Sequence, residues 1–324
     1  MHSLQTWAVS HKGTLLSLFV LSICLGCSIV LQGYSIVQIV NVVFIEKEAF
    51  SSTLRFLYVL FFAILLRLFT QFSMNRIGGT LAERVKISVR QTLLQHWTQN
   101  AMEAQMTTQT GEKVTLLIDT VDQLESYYRE YIPQIIKTTV VPLIILIAVF
   151  ITHTPSGWIM LVTVPFIPIT YIIIGMQTQK KSEEQLVAMN RFSGKFLDLL
   201  QGLQTIRLFG QSEKQEEVLA ASNKGFMERT LSVLKIAFAS TLFIEFITTL
   251  GVGLVALEIG FKMIVFESLA FAPAFFVLTM APEFYNSLKE LGAAFHTGRG
   301  SLGAVAIIEE QLQTPFEPVR WGDK

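Results

Sequence analysis

The sequence predicts an all-α membrane protein, with six transmembrane helices and two long helical hairpins on one side. Three observations carry this. Of the 324 residues, 51% are hydrophobic and only 15% are charged, against about 25% charged in an ordinary soluble domain. Six runs are apolar over roughly 20 residues, the length a helix needs to cross a bilayer core. Two polar connections between those runs are too long for loops and carry helical periodicity. Basic and acidic residues number 25 each, so net charge gives no footprint for nucleic acid.

The first expected span covers residues 14–44. Its apolar run is far longer than the core of a signal peptide, so it stays in the mature chain, and its excess length should tilt or project. The others are expected at 54–73, 132–151, 157–176, 236–257 and 269–291. Together residues 1–312 would form one membrane domain, followed by a Pro-containing linker at 313–324. Orientation follows from Lys and Arg. Nineteen of the 25 basic residues fall in the two long connections or at the termini, and Lys289 lies at the inner edge of the sixth span. Both termini and both hairpins are therefore expected in the cytoplasm, joined on the other side by short loops such as "THTPSG".

Each connection carries a one-face stripe. Leu117, Val121, Leu124, Tyr128 and Tyr131 step by four, three, four and three, and Leu186, Met189, Phe192, Phe196 and Leu199 step by three, three, four and three. The stretch "FLDLLQGLQTIRLFGQSEKQEE" then reads as the tip of the second hairpin. Gly210 ends its turn, and Ser212 with Gln215 fits a capping box opening the return helix. Leu203, Ile206, Leu208 and Phe209 leave an apolar patch at that tip, and such patches mark partners. Residues 99–112, "QNAMEAQMTTQTGE", occupy the equivalent tip of the first hairpin.

This pattern resembles the membrane domain of a type I ATP-binding-cassette (ABC) exporter. "TGEKVTLLIDTVDQLESYYREYIP" and "LLQGLQTIRLFGQSEKQ" resemble that family's segments around its two coupling helices. A narrower resemblance to the CydD family rests on "YYREYIPQIIKTTVVPLIILIAVF", "SGKFLDLLQGLQTIRLFG", "AFASTLFIEFITTLGVGLVALEIGF" and "APEFYNSLKELGAAFH". The resemblance implies a heterodimer with a CydC-type half-transporter in a bacterial membrane. It implies export of cysteine or glutathione, or movement of haem, in support of cytochrome bd assembly. It also implies that Ala101, Met102, Leu203, Thr205, Ile206, Arg207 and Phe209 sit at tips that dock into nucleotide-binding domains. No GxxxxGK[ST] phosphate loop occurs in the sequence. This chain alone is expected not to hydrolyse ATP. ATP and Mg would belong to a nucleotide-binding domain of a longer, ATP-hydrolysing transporter. The competing readings are a scaffold or sensor subunit without ATPase, and an exporter of lipid or drug.

Ionisable residues inside spans are costly and often functional. Arg67, Arg76, Glu245 and Glu283 are the path candidates, with Lys137 near the start of the third span. Cations in a cavity would suit the carboxylates of glutathione or haem propionates. The plain alternative is interhelical pairing, such as Arg67 with Glu245, or snorkelling. Tyr285 could contact a ligand, though packing is the simpler reading. His296, in the matched "LGAAFH", is the candidate haem ligand; an ordinary hydrogen bond is the alternative. Cys24 and Cys27 supply two ligands where tetrahedral zinc takes four, and fit helix packing instead. No nucleophile–base constellation points to a membrane enzyme.

Overall fold

A computed structural model describes residues 12–47, 50–99 and 110–313, with the side chains of 174–176, 178–180, 182–183, 190, 293, 295–300 and 302 among those left aside. The described residues fold almost entirely into helices and contain no strand. In chain order the elements are α1 (Lys12–Val40), α2 (Phe50–Gln99), α3 (Thr110–Thr115), α4 (Ile132–Thr152), α5 (Thr154–Thr163), α6 (Phe166–Gln201), α7 (Leu203–Leu208), α8 (Ser212–Gly260) and α9 (Phe271–Gln313). π-helical turns follow α1 at Asn41–Ile45 and α8 at Phe261–Val265, and two more occupy Leu116–Thr120 and Tyr127–Tyr131.

Five stretches are long and apolar enough to cross a membrane: Lys12–Ile45, Phe50–Thr98, Tyr127–Thr152, Thr154–Ile173 and Ser212–Val265. The sixth expected span lies within α9, where Glu283, Asn286 and Lys289 dilute the apolar run. Its apolar residues are spent inside the protein: Val277, Met280, Ala281, Phe284 and Tyr285 are all buried. A helix enclosed by other helices does not have to be apolar on every side. The fourth expected span, 157–176, is not one helix. It breaks at Val164–Pro165, because Pro165 has no N–H to give and its ring disfavours helix in the residue before it. The chain restarts there, with Ile169 N–H donating to the Pro165 carbonyl at 3.2 Å.

Two compact units result. One runs through Val162 and resumes at Gly251; the other is Thr163–Leu250. In the first unit α1 packs along α2 and α4, and α9 packs along α4. Close approach is bought with small residues. A Cβ on Gly251 would lie 2.5 Å from the Tyr285 ring, and one on Gly26 would lie 2.6 Å from Ile144. Away from the spans, α2 extends as a single 50-residue helix, roughly 75 Å at 1.5 Å per residue. Its Leu81, Val85, Val89 and Leu93 recur every four residues and bury against Val121, Leu124 and Tyr128 and, from α9, Ala304, Val305 and Ile308. The stripe read from the sequence is thus the inner face of a three-helix core, with Leu117 and Tyr131 packed at its margin. Its helix is not regular, however, since the two π turns interrupt it.

A charge network ties the same segment to α2. Lys86 donates to Glu125 at 2.7 Å and Asp122 at 3.0 Å, Arg90 donates to Asp122 at 3.0 Å, and Arg129 donates to Glu125 at 2.8 Å. The hydrogen bond from Lys86 holds the Asp122 carboxyl below its usual range, and bonds from Lys86 and Arg129 do the same for Glu125. Burial opposes the charge on Lys86, but its bonds to Glu125 and Asp122 outweigh this and raise it above 10.5. The carboxylates therefore contribute fully above their ordinary range, and lose that contribution as pH falls through their lowered values. Lys86 contributes fully up to its ordinary value and loses it above. Hydrogen exchange across residues 116–125 is expected to be level between about pH 5 and 9 once intrinsic rates are removed, and to rise below about pH 4.

In the second unit α6 and α8 form a hairpin. The Phe192 ring stacks on Phe226 at 6.0 Å and on Phe196 at 6.1 Å, and Arg229 pairs with Glu184. Leu186, Met189 and Phe196 of the expected stripe remain exposed. At the tip, Gly210 takes φ +63°. Its N–H reaches the Arg207 carbonyl at 3.2 Å, and that of Gln211 reaches Ile206 at 3.0 Å. These two bonds form a Schellman motif closing α7. The return helix already includes Ser212, and the Gln211 carbonyl accepts from Gln215 at 3.1 Å. The capping position is therefore one residue earlier than the Ser212–Gln215 box requires.

Candidate functional site

Three polar stripes converge at the hairpin end of the first unit. On α2 they are Arg67, Gln71 and Asn75, at steps of four. Across the π turn at Tyr127–Tyr131 and α4, Arg129, Pro133 and Lys137 step by four, and Glu130 and Gln134 do the same one residue on. On α9, Glu283, Ser287, Glu290 and Ala294 step by four, three and four. A helix brings residues four apart onto one face, so each stripe aims at the others. Between them lies a cavity of about 590 Å³, lined by Gln71, Asn75, Arg129, Glu130, Gln134, Lys137 and Glu290, with Leu25, Met74, Pro133 and Ala294.

Its charges are organised. Glu290 accepts from Lys137 Nζ at 2.5 Å and from Gln134 Nε2 at 3.1 Å, both on Oε2. Gln134 also donates to Thr138 Oγ1 at 3.1 Å, and Thr138 donates to the Ser287 carbonyl at 3.1 Å. The π turn supplies Arg129 and Glu130, and lies tight on α2. A Cβ on Gly78 would stand 2.6 Å from the Arg129 carbonyl oxygen. A second cavity of about 550 Å³ shares Asn75 and Arg129 with the first and is lined further along by Arg76, Glu83, Lys86, Arg90 and Glu125.

The residues singled out from sequence divide as follows. Arg67 pairs in bidentate fashion with Glu283, both contacts at 3.1 Å, and donates to Gln32 at 3.0 Å. Its partner is therefore Glu283, not the Glu245 suggested from sequence. Glu283 is one turn of α9 from Ser287 and lies across from α2, whereas Glu245 is an exposed residue of α8. The pair lies one helical turn farther from the hairpin than Gln71 and joins α1, α2 and α9. Arg76 is exposed and lines the second cavity. Tyr285 is 1% exposed and packed on Gly251, which is the packing reading. The side chain of His296 lies outside the described residues, as do Ala101 and Met102. At the second tip Leu203, Thr205, Arg207 and Phe209 are exposed and Ile206 is half-buried; Phe209 reaches 75% and its neighbour Leu208 84%.

Two groups escaped the sequence reading. Gln71, Asn75, Gln134 and Glu290 were visible at helical steps of three or four, but fell near span borders where polarity looked ordinary. The other group is His153, Ser156 and Glu258, at the end of the first unit away from the first hairpin. Ser156 Oγ donates to Glu258 at 2.8 Å, so His153 Nδ1, 2.9 Å from that hydroxyl, is the donor to it. A histidine that donates to the serine cannot take its proton, so His153 is not placed as a base for Ser156.

Residues 15–287 match the model of the ABC transporter transmembrane region. The chain belongs to that family. It is 28% identical over 305 residues to the glutathione/L-cysteine transport system ATP-binding/permease protein CydD of Escherichia coli K12, covering 92% of this chain and 52% of that protein. The Haemophilus influenzae CydD is 33% identical over 221 residues, covering 66% of this chain and 38% of that one. The Bacillus subtilis CydC of the same named system is 29% identical over 222 residues, covering 66% and 39%. The chain spans about half the length of the curated relatives it matches, or less. In this ABC membrane domain the converging stripes enclose a polar cavity of a size that suits a small ligand.

Proposed function

We propose that the chain is the membrane half of an ATP-driven exporter of small thiols, cysteine or glutathione, working with a CydC-type half-transporter in a bacterial cell membrane. The carrying observation is the cavity at the hairpin end of the first unit. It combines two cations, two carboxylates and three amides in a family whose named relatives transport those thiols. The concentration of Lys and Arg at the hairpins and termini supports placing them in the cytoplasm, so that the cavity loads from there. Its size falls within the usual range for small-ligand sites. Seven of its eleven described lining residues are polar or charged, which favours a small polar ligand over a lipid. ATP and Mg would be held by nucleotide-binding domains docked on the hairpin tips.

Sealed inside-out vesicles with the full-length protein and its partner test this. ATP-dependent accumulation of labelled glutathione or cysteine is expected, and its absence while ATP is hydrolysed would overturn the thiol reading. The tip gives a second test. Leu203→Asp with Phe209→Asp removes an exposed apolar anchor and is expected to cut ATP-driven uptake by roughly tenfold or more. Ligand affinity measured without ATP should be unchanged. Normal uptake in the double variant would mean that the tip does not couple to the ATPase.

A further inference from the structure

The cavity's charge pattern is more specific than its location. Arg129 and Lys137 are matched there by Glu130 and Glu290. A site for a purely anionic ligand would not place two carboxylates in its wall, because each repels the ligand. A site for a lipid-like ligand would be mostly apolar. Balanced opposite charges with three amides, Gln71, Asn75 and Gln134, match a ligand that carries an ammonium, a carboxylate and peptide groups at once.

The two best-placed charges already hold each other. Lys137 is the more enclosed member, 18% exposed against 52% for Glu290. Leaving that ammonium without a counter-charge is costly, so any ligand that breaks the pair must bring its own carboxylate to Lys137. Glu290, freed of Lys137, then asks for a cation. The pair also joins α4 to α9, and Gln134 reinforces it. Its replacement by ligand contacts therefore alters the junction of two helices.

We infer that this cavity is a zwitterion site, in which Lys137 takes the ligand's carboxylate and Glu290 its ammonium. The internal Lys137–Glu290 pair is the stand-in that the ligand displaces. This rests on the exporter reading and narrows it to amino-acid-like thiols with both charges free.

The test is equilibrium binding to the full-length protein with its partner half-transporter in nanodiscs. The probes are glutathione, its N-acetyl derivative and its dimethyl ester. The parent should prefer glutathione to both blocked forms. Lys137→Met should weaken glutathione by roughly tenfold or more and erase the penalty for the ester. Glu290→Gln should erase the penalty for the N-acetyl form. The swap Lys137→Glu with Glu290→Lys keeps a pair between the helices, and should melt like the parent while binding glutathione more weakly. If the parent binds all three probes alike, or if glutathione binding ignores these substitutions, the zwitterion site is wrong while the exporter reading stands. If the parent binds none of the three and transports no thiol, the thiol reading falls with it.

Discussion

Arg67→Met is expected to lower the thermal midpoint of the full-length transporter sharply and to abolish most of its transport. The substitution keeps the side-chain length but strands Glu283, which now receives both guanidinium nitrogens of Arg67 at 3.1 Å. Removing one partner of a fully buried pair costs roughly 3–5 kcal/mol. Here the side chains are 26% and 34% exposed, so about 2–3 kcal/mol is the fitting scale. That is a large share of a typical folding free energy. Gln32 also loses its donor, which loosens α1 as well as α2 and α9. Arg67→Lys should recover the charge but only part of the effect, because an ammonium cannot make the two-pronged contact. The decisive comparison is Arg67→Met with Glu283→Met. Two apolar side chains of similar volume leave no stranded charge, so the double variant should melt well above the single one. Transport decides what the pair is for. A double variant that melts like the parent and still fails to transport places the pair in the ligand path. Single and double variants that melt alike would show that the pair holds nothing.

Gly78→Ala should be the most damaging single methyl in the hairpin-side half of the first unit. The new Cβ would sit 2.6 Å from the Arg129 carbonyl oxygen and 3.1 Å from Pro133. The first of these is backbone and cannot swing aside, so α2 and the π turn must separate. Overpacking of this kind costs typically 1–3 kcal/mol, and here it displaces the two charged residues that the π turn supplies to the cavity. Thermal midpoint and glutathione affinity should fall together. The neighbouring residue provides a control. A Cβ on Gly79 meets nothing within 4 Å, and alanine is the better helix former by about 1 kcal/mol. Gly79→Ala should therefore leave affinity intact and hold or raise the midpoint. Equal behaviour of the two variants would contradict the tight α2–π-turn contact.

These cases mark how far the sequence could be read. Val121, Leu124 and Tyr128 were legible as an inward face because helical periodicity survives two π turns. The turns themselves were not, since an extra residue in a helical turn leaves no compositional mark. Gly210 was legible because a left-handed residue strongly favours glycine, while the capping position slipped by one residue, as helix ends do. The break at Val164–Pro165 had its signal in the proline, overridden by the continuous hydropathy around it. The partner of Arg67 was not legible. Both Glu245 and Glu283 lay in spans, and spacing within a helix does not say which neighbouring helix it will touch. The cavity was half legible. Its cation Lys137 stood out inside a span, whereas Glu290 at the end of another looked like ordinary surface charge.

The closure of the second tip has a consequence for how such transporters diversify. The Schellman bonds run from Gly210 and Gln211 to Arg207 and Ile206 through main-chain atoms alone. Gly210 is the residue whose φ ties the turn to one amino acid. Leu203, Thr205, Arg207, Leu208 and Phe209 contribute no side-chain atom to those two bonds. On the docking proposed above, selection can therefore rewrite the tip's chemistry to suit a different ATPase surface while its shape is inherited unchanged, as a plug keeps its housing when its pins are altered.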